Sequence, residues 1–211
     1  MNDFLQRLRT QAWRTAGARY NAARRLKRRD WFATFSIAIF SAVGIALAVV
    51  QKVYVQESTP ELDSYITVVA ACIGLFVLVI SLIEWGASGS VKADTLHRNA
   101  ELLNKFQRKI EQDLSSLGDI NSSIVTERRE EYEAIKAGCT YNHEPVDDVL
   151  FRAQQRLSKE FREDGKQDRK PQITWIGSQW AVLMDLWNSF RAFLAFWVAI
   201  LALLLHIPWG H

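Results

Sequence analysis

The chain has 211 residues, and its 26 Lys and Arg against 23 Asp and Glu give a net charge of +3 that indicates no particular class of protein. The charges are segregated, however: residues 31–51, 64–83 and 192–211 contain no Asp, Glu, Lys or Arg. Uncharged blocks of about 20 residues argue against a purely soluble protein, and two cysteines exclude a disulfide scaffold.

The first 29 residues are rich in arginine and carry a helical pattern. Apolar residues recur three or four positions apart between Leu5 and Ala23, which predicts a helix over residues 2–29 that continues into the first apolar run. Its end is strongly basic, with Arg24, Arg25, Lys27, Arg28 and Arg29. Such a cluster can contact anionic lipid or nucleic acid, and we favour lipid head groups and predict no direct nucleic-acid site.

Two uncharged runs follow, at residues 31–51 and 64–83. A helix rises ~1.5 Å per residue, so each run reaches ~30 Å, the thickness of the hydrocarbon core of a bilayer. Only residues 52–63 connect them, which predicts an antiparallel transmembrane hairpin. Basic residues precede the first run whereas acids dominate the connection, so the N-terminus and the region after the second run are predicted to be cytoplasmic.

The predicted spans carry small residues at four-residue spacing. These are Ala38, Ala42 and Ala46 in the first span and Ala70 and Gly74 in the second. Small residues at this spacing allow two helices to approach closely in lipid, either within the hairpin or between copies of the chain.

The predicted spans also carry polar groups that could belong to a pore. The hydroxyl groups of Thr34, Ser41, Thr67 and Ser81 either line a water path in an assembly or bond to their own helix backbone. Glu84 follows the second span; in a ring of subunits it would form an acidic collar that selects cations, and in a single chain it needs water or a partner.

Residues 86–170 predict three cytoplasmic helices. The first spans 94–117 with one apolar face and ends at Gly118, and the second spans 125–136 and ends at Gly138. The third begins at Pro145, and apolar residues recur every three or four positions from there to Phe161. A hydrophilic hinge follows at 163–170. About 80 residues form a small core, so we expect these helices to pack on the N-terminal helix and on other copies of the chain.

The third apolar run, residues 192–209, is the shortest of the three. Eighteen residues just span a bilayer, and we favour a third spanning helix over one that lies along the cytoplasmic leaflet. Trp175, Trp180 and Trp187 precede the run and indicate a segment at the membrane interface.

No pattern of catalytic or metal-binding residues emerges. Cys139, His143 and Asp147 lie four residues apart, but a glycine, a turn and a proline interrupt them, so we interpret the segment as a turn with a capping role. The four histidines lack metal-ligand spacing. The sequence therefore predicts no catalytic residue, no metal ligand, no cofactor and no enzyme.

Three stretches and their order resemble a known family. They are WRTAGARYNAARRLKRRDWF, SVKADTLHRNAELLNKFQRKIEQDL after the hairpin, and YEAI with CTYNHEPVDDVLFR further on. Over about residues 10–160 the chain resembles the SLATT family, two-transmembrane effector domains associated with bacterial nucleotide-signalling and anti-phage systems. The resemblance implies structural roles for six residues: Tyr20, His97, Asn99, Asn142, Pro145 and Asp147.

The resemblance implies an inner-membrane effector that oligomerises and permeabilises or depolarises the membrane, which arrests or kills the infected cell. Its trigger would be a cyclic nucleotide or a companion signalling protein. The alternative is a membrane-anchored scaffold that recruits a soluble partner such as a reverse transcriptase or a nucleotidyltransferase.

In sum, the sequence predicts an all-α membrane protein in four parts. They are a basic cytoplasmic helix (1–30), a transmembrane hairpin (31–85), a cytoplasmic helical region (86–170), and a Trp-rich C-terminal segment that is associated with the membrane or spans it (171–211).

Overall fold

A computed structural model of the chain describes residues 2–54, 60–116, 121–162 and 170–206. These residues form six α-helices: α1 (Asn2–Tyr54), α2 (Pro60–Ala87), α3 (Gly89–Ser116), α4 (Ser122–Ala137), α5 (Pro145–Gln154) and α6 (Trp175–Leu205). A 3-10 helix at Lys159–Phe161 and an isolated bridge between Arg162 and Pro171 complete the described structure. The all-α prediction is confirmed.

Several predictions concern residues outside these ranges. They are the helix stop at Gly118, the hinge at 163–169, the middle of the connection between the first two spans (55–59), and the end of the third apolar run (207–209).

The contacts divide the chain into two units, which we describe separately. The amphipathic unit contains residues 1–27 and 90–187, and the membrane unit contains residues 28–89 and 188–211. Both α1 and α6 contribute residues to each unit.

Three helices are long and apolar enough to cross a membrane. The predicted continuation of the N-terminal helix into the first span is confirmed, since α1 runs unbroken for 53 residues. The second span lies in α2, and the third lies in α6, which has 31 residues. At most 22% of the most apolar stretch of each is buried within the chain, so most of this surface is left for lipid or for other protein.

The core of the amphipathic unit lies between α1, α3 and α4. Leu5 and Leu8 of α1 pack with Leu103, Phe106 and Ile110 of α3. The partner from α4 is Tyr132, whose ring centroid lies 5.8 Å from that of Phe106. The expected packing on the N-terminal helix is therefore confirmed for α3 and α4, and the expected packing on other copies of the chain stays a prediction.

The predicted extension to Phe161 of the helix that begins at Pro145 is wrong. Helix α5 ends at Gln154, and Leu157 is exposed. The Ser158 hydroxyl donates to the Gln155 carbonyl at 2.7 Å, a local bond that competes with continuing the helix. The 3-10 turn that follows places the Phe161 ring 5.5 Å from that of Trp13, so Phe161 is buried by a turn rather than by a helix face.

Candidate functional site

The membrane unit packs its three helices through large apolar side chains. Phe40 of α1, Ile66, Ile73 and Ile80 of α2 and Phe193 of α6 are fully buried together. These residues, rather than the predicted small ones, form the contact between the spans.

The predicted small residues lie largely outside this contact. Ala38, Ala42 and Ala46 of α1 are exposed, and Ala70 of α2 is half-buried. Gly74 is exposed, and a Cβ atom built on it meets no atom within 4 Å. Close packing through these residues would need another molecule, and their role in association between copies stays a prediction.

The hydroxyl groups of the spans mostly bond within their own helices. Thr34 donates to the Asp30 carbonyl at 3.0 Å, Ser81 to Val77 at 2.8 Å, and Thr67 to Asp63 at 2.9 Å. Ser41 lies on the exposed side of α1. Back-bonding satisfies the hydroxyl groups of Thr34, Thr67 and Ser81 in a single chain, so their polarity alone does not require a water path.

Glu84 has a partner within the membrane unit. Arg29 Nε and Nη2 donate to Glu84 Oε1 at 3.2 and 3.0 Å, and the Glu84 side chain is only 11% exposed. The Arg29 guanidinium carbon also lies 6.0 Å from the centre of the Phe193 ring, within reach of a cation–π contact. An acidic collar of Glu84 side chains would require this ion pair to open.

The amphipathic unit contains a buried ion pair that involves one of the family-like residues. Asp147 is 0% exposed and accepts from Arg25 Nε and Nη2 at 2.9 and 3.0 Å. The same carboxylate accepts from the Glu144 backbone N–H at 2.8 Å, and Pro145 opens the helix. The capping role predicted for this turn is confirmed.

The remaining family-like residues lie around the same elements. Asn99 accepts from Arg19 Nη1 and donates to the Ile135 carbonyl at 2.6 Å, so it joins α1, α3 and α4. The Tyr20 and His97 rings meet edge to face, with centroids 5.1 Å apart. Asn142 Oδ1 accepts from the His143 backbone N–H at 3.0 Å. Their functional importance stays a prediction.

Three residues of the basic cluster at the end of the predicted N-terminal helix form ion pairs within the chain. Arg25 pairs with Asp147, Lys27 with Asp94 at 2.9 Å, and Arg29 with Glu84. Neither these pairs nor the burial of Arg19 was predicted from the sequence. One signal for the burial of Arg19 was present in the sequence. Arg19 lies three residues after Ala16 and four before Ala23, so it shares the apolar face of the predicted helix with them, and both alanines are buried in the structure.

Asp148 forms a second ion pair beside the buried one, and it makes a pH-dependent contribution to stability. Arg14 donates to both of its carboxylate oxygens at 2.6 Å. This bonding holds the pKa of Asp148 below its usual value of 3.8. Because the folded-state pKa is lowered, the stabilisation is present at neutral pH and is lost as the pH falls from about 4 through the lowered value.

We expect Asp148→Asn to lower the free energy of unfolding by about 1 kcal/mol at pH 7, the upper range for an exposed pair with good geometry. The difference from the natural chain should vanish at acid pH, where the natural carboxyl is also protonated. Denaturant unfolding of the full chain in detergent at several pH values measures this. Asp3→Asn is the matched control because its pair with Arg7 is far more exposed. A difference that persists at acid pH would contradict the ionic explanation.

The described part of the chain contains no group of three or more His, Cys, Asp or Glu side chains that could hold a metal ion. The Cys139 thiol donates to the Tyr141 carbonyl at 3.1 Å.

Comparison with known proteins identifies a family. A family model described as SMODS and SLOG-associating 2TM effector domain family 5 matches residues 1–207. No curated protein and no solved structure matches the chain.

Proposed function

The chain belongs to the SMODS and SLOG-associating 2TM effector domain family 5, and on this premise we propose that it associates in the bacterial inner membrane and depolarises it when triggered. Depolarisation then arrests or kills a phage-infected cell. The trigger is a cyclic nucleotide or a companion signalling protein, as expected for an effector that operates beside a signalling system.

The observation that carries this proposal is the exposed small-residue face of α1. Ala38, Ala42 and Ala46 repeat every four residues, and the packing of the membrane unit leaves all three uncovered. In lipid, helices associate mainly through close van der Waals packing, which small residues permit and large ones prevent. Association between copies through this face is therefore the step that we place before depolarisation.

The proposed orientation rests on charge. The arginine-rich start of α1 precedes the first span, while Glu61 and Asp63 open α2 on the other side of the hairpin connection. The excess of basic residues supports a cytoplasmic position for the N-terminus and the amphipathic unit. There the amphipathic unit can receive a cytoplasmic trigger.

The test uses two variants of neighbouring exposed residues on α1. Ala42→Leu adds bulk to the small-residue face, whereas Ile45→Leu keeps the size of a side chain that is already large and exposed. We expect Ala42→Leu to weaken self-association about tenfold, which corresponds to a loss of about 1.4 kcal/mol of association free energy, and Ile45→Leu to leave it unchanged. The chain is expressed with its neighbouring genes and challenged with phage, while a potential-sensitive dye reports depolarisation and crosslinking reports the oligomer.

Loss of both depolarisation and crosslinked oligomer in Ala42→Leu alone would support the proposal. A steady membrane potential in cells that nevertheless stop growing would reject it. A scaffold is distinguished by replacing both spans of the hairpin with unrelated apolar helices, since a scaffold keeps its activity after this exchange and a pore loses it.

A further inference from the structure

A pocket in the amphipathic unit is lined mainly by polar and charged side chains. It has a volume of about 810 Å³ and lies between α1, the end of α4 and the segment that leads into α5. The side chains that matter for its chemistry are Arg14, Arg19, Lys136 and His143. A volume of this size is within the usual range for pockets that hold small molecules.

Arg19 lines this pocket with a charge that no carboxylate of the described residues compensates. The residue is 4% exposed, and its only side-chain hydrogen bond within the described part of the chain goes from Nη1 to the neutral amide oxygen of Asn99. Its buried Nε atom has no hydrogen-bond partner among the described residues. Arginine is rarely this buried without an anionic partner, because removing the charge from water is costly.

The other two cations of the pocket differ from Arg19. Arg14 is held by Asp148, and Lys136 contacts Glu133 at 3.2 Å near the surface. The charged lining therefore comprises three cations and two carboxylates, which leaves one uncompensated positive charge on the buried guanidinium.

His143 adds a second unpartnered group. Its Nδ1 atom is buried and has no hydrogen-bond partner in the described structure. Burial, followed by the positive charge of Arg19, holds the pKa of His143 below its usual value, while Asp147 and Asp148 act in the opposite direction and Arg14 in the same one. An anion beside Arg19 would supply the missing partner for the guanidinium and for a protonated Nδ1.

We propose that this pocket binds a phosphate-bearing ligand whose anionic group contacts Arg19 and His143, with Lys136 at the rim. A phosphate presents several acceptor oxygens, which suits a guanidinium fork, an imidazole and an ammonium group that converge on one space. The volume exceeds that of inorganic phosphate and accommodates a group attached to it. The inference is separate from the proposed depolarisation, because binding is measured on the solubilised chain without a membrane potential.

The binding test uses the purified full chain in a neutral detergent at low ionic strength. Isothermal titration calorimetry is run with pyrophosphate, ATP, adenosine and the water-soluble lipid dihexanoyl phosphatidic acid. We expect binding of the phosphate-bearing probes and none of adenosine. Tighter binding of ATP would identify a soluble ligand, and tighter binding of phosphatidic acid would identify a lipid head group as the source of the phosphate.

Substitution of Arg19 separates a ligand role from a structural one. Arg19→Gln should weaken binding at least about tenfold, since a charge-assisted hydrogen bond is lost. Without ligand, the same variant should unfold at the same temperature as the natural chain or higher, because an uncompensated buried charge has been removed. If Arg19 has only a structural role, the Arg19→Gln variant should instead unfold at a lower temperature than the natural chain and bind the probes equally well.

Two further variants keep the test decisive if Arg19→Gln does not fold. Lys136→Gln, at the rim, should weaken binding about threefold, which corresponds to a peripheral ionic contact. Arg7→Gln makes the same change of net charge on an exposed residue of α1 away from the pocket, and it should leave binding unchanged. The inference is overturned if none of the phosphate-bearing probes binds at about 1 mM, if adenosine binds as tightly as ATP, or if Lys136→Gln and Arg7→Gln have equal effects.

Discussion

Asp147→Asn is expected to lower the free energy of unfolding of the amphipathic unit by about 3 kcal/mol. The carboxylate is fully buried, and it makes two hydrogen bonds to Arg25, whose side chain is only 10% exposed. Asparagine keeps the size and the acceptor for the Glu144 N–H, so the change removes mainly the charge. Among the described residues, Arg25 then keeps Glu144 as its one ion-pair partner, and the Glu144 side chain is 61% exposed. A poorly compensated buried cation is strongly destabilising.

The measurement is guanidinium unfolding of the full chain in detergent, followed by tryptophan fluorescence and by protease resistance of the amphipathic unit. Asp148→Asn is the matched control, since it makes the same chemical change at the neighbouring residue in a pair that is more accessible to water. If both variants lose the same stability, the burial of the Arg25–Asp147 pair has no energetic consequence and the prediction fails.

A double substitution tests whether the charge itself is responsible. Adding Arg25→Met to Asp147→Asn removes the cation that was left without its main partner. Since the energetic coupling of two contacting residues appears as non-additivity, the double variant should be less destabilised than the sum of the two single ones. Additive losses would indicate that the two side chains act independently.

Gly17→Ala should destabilise the amphipathic unit by about 2 kcal/mol, although alanine normally stabilises a helix relative to glycine by about 1 kcal/mol. A Cβ atom on Gly17 would overlap the Phe151 ring, since it would lie far closer to it than any normal contact. The ring is buried, and its centroid is 4.9 Å from that of Trp13 and 6.0 Å from that of Phe161. It therefore cannot move aside without disturbing both neighbours.

The control for Gly17→Ala is Gly86→Ala, because Gly86 also lies in a helix but a Cβ atom there meets nothing within 4 Å. Gly86→Ala should leave stability unchanged or raise it, when both variants are measured by the same denaturant unfolding. Combining Gly17→Ala with Phe151→Leu should recover part of the loss, since a smaller side chain frees space for the methyl group. A stable Gly17→Ala chain would show that α1 and α5 do not approach as closely as described.

The membrane character of the chain followed from the sequence alone. The absence of charge from residues 31–51 and 64–83 is a local property, and insertion into a bilayer depends on the composition of one segment at a time. Helix boundaries with local causes were predictable in the same way: Pro145 opens α5, and α4 ends at Ala137, just before Gly138.

The pairing of individual side chains followed only from the tertiary structure. Arg25 and Asp147 are 122 residues apart, and nothing near either one distinguishes it from an exposed charge. The end of α5 likewise depended on Trp13, which offers Phe161 a stacking partner that a continued helix could not use. Which small residues stay exposed was decided by the packing of Phe40 and Phe193.

The sequence by itself thus determined that the chain is helical and that three of its segments suit a bilayer, because hydrophobicity and helix signals act within about 20 neighbouring residues. Only the tertiary structure decided that Glu84 is paired with Arg29 and that Arg19 is buried with no carboxylate partner in the part of the chain that the structure describes. The physical reason is that the energy of a charge depends on which groups surround it, and these groups come from helices that are distant in sequence.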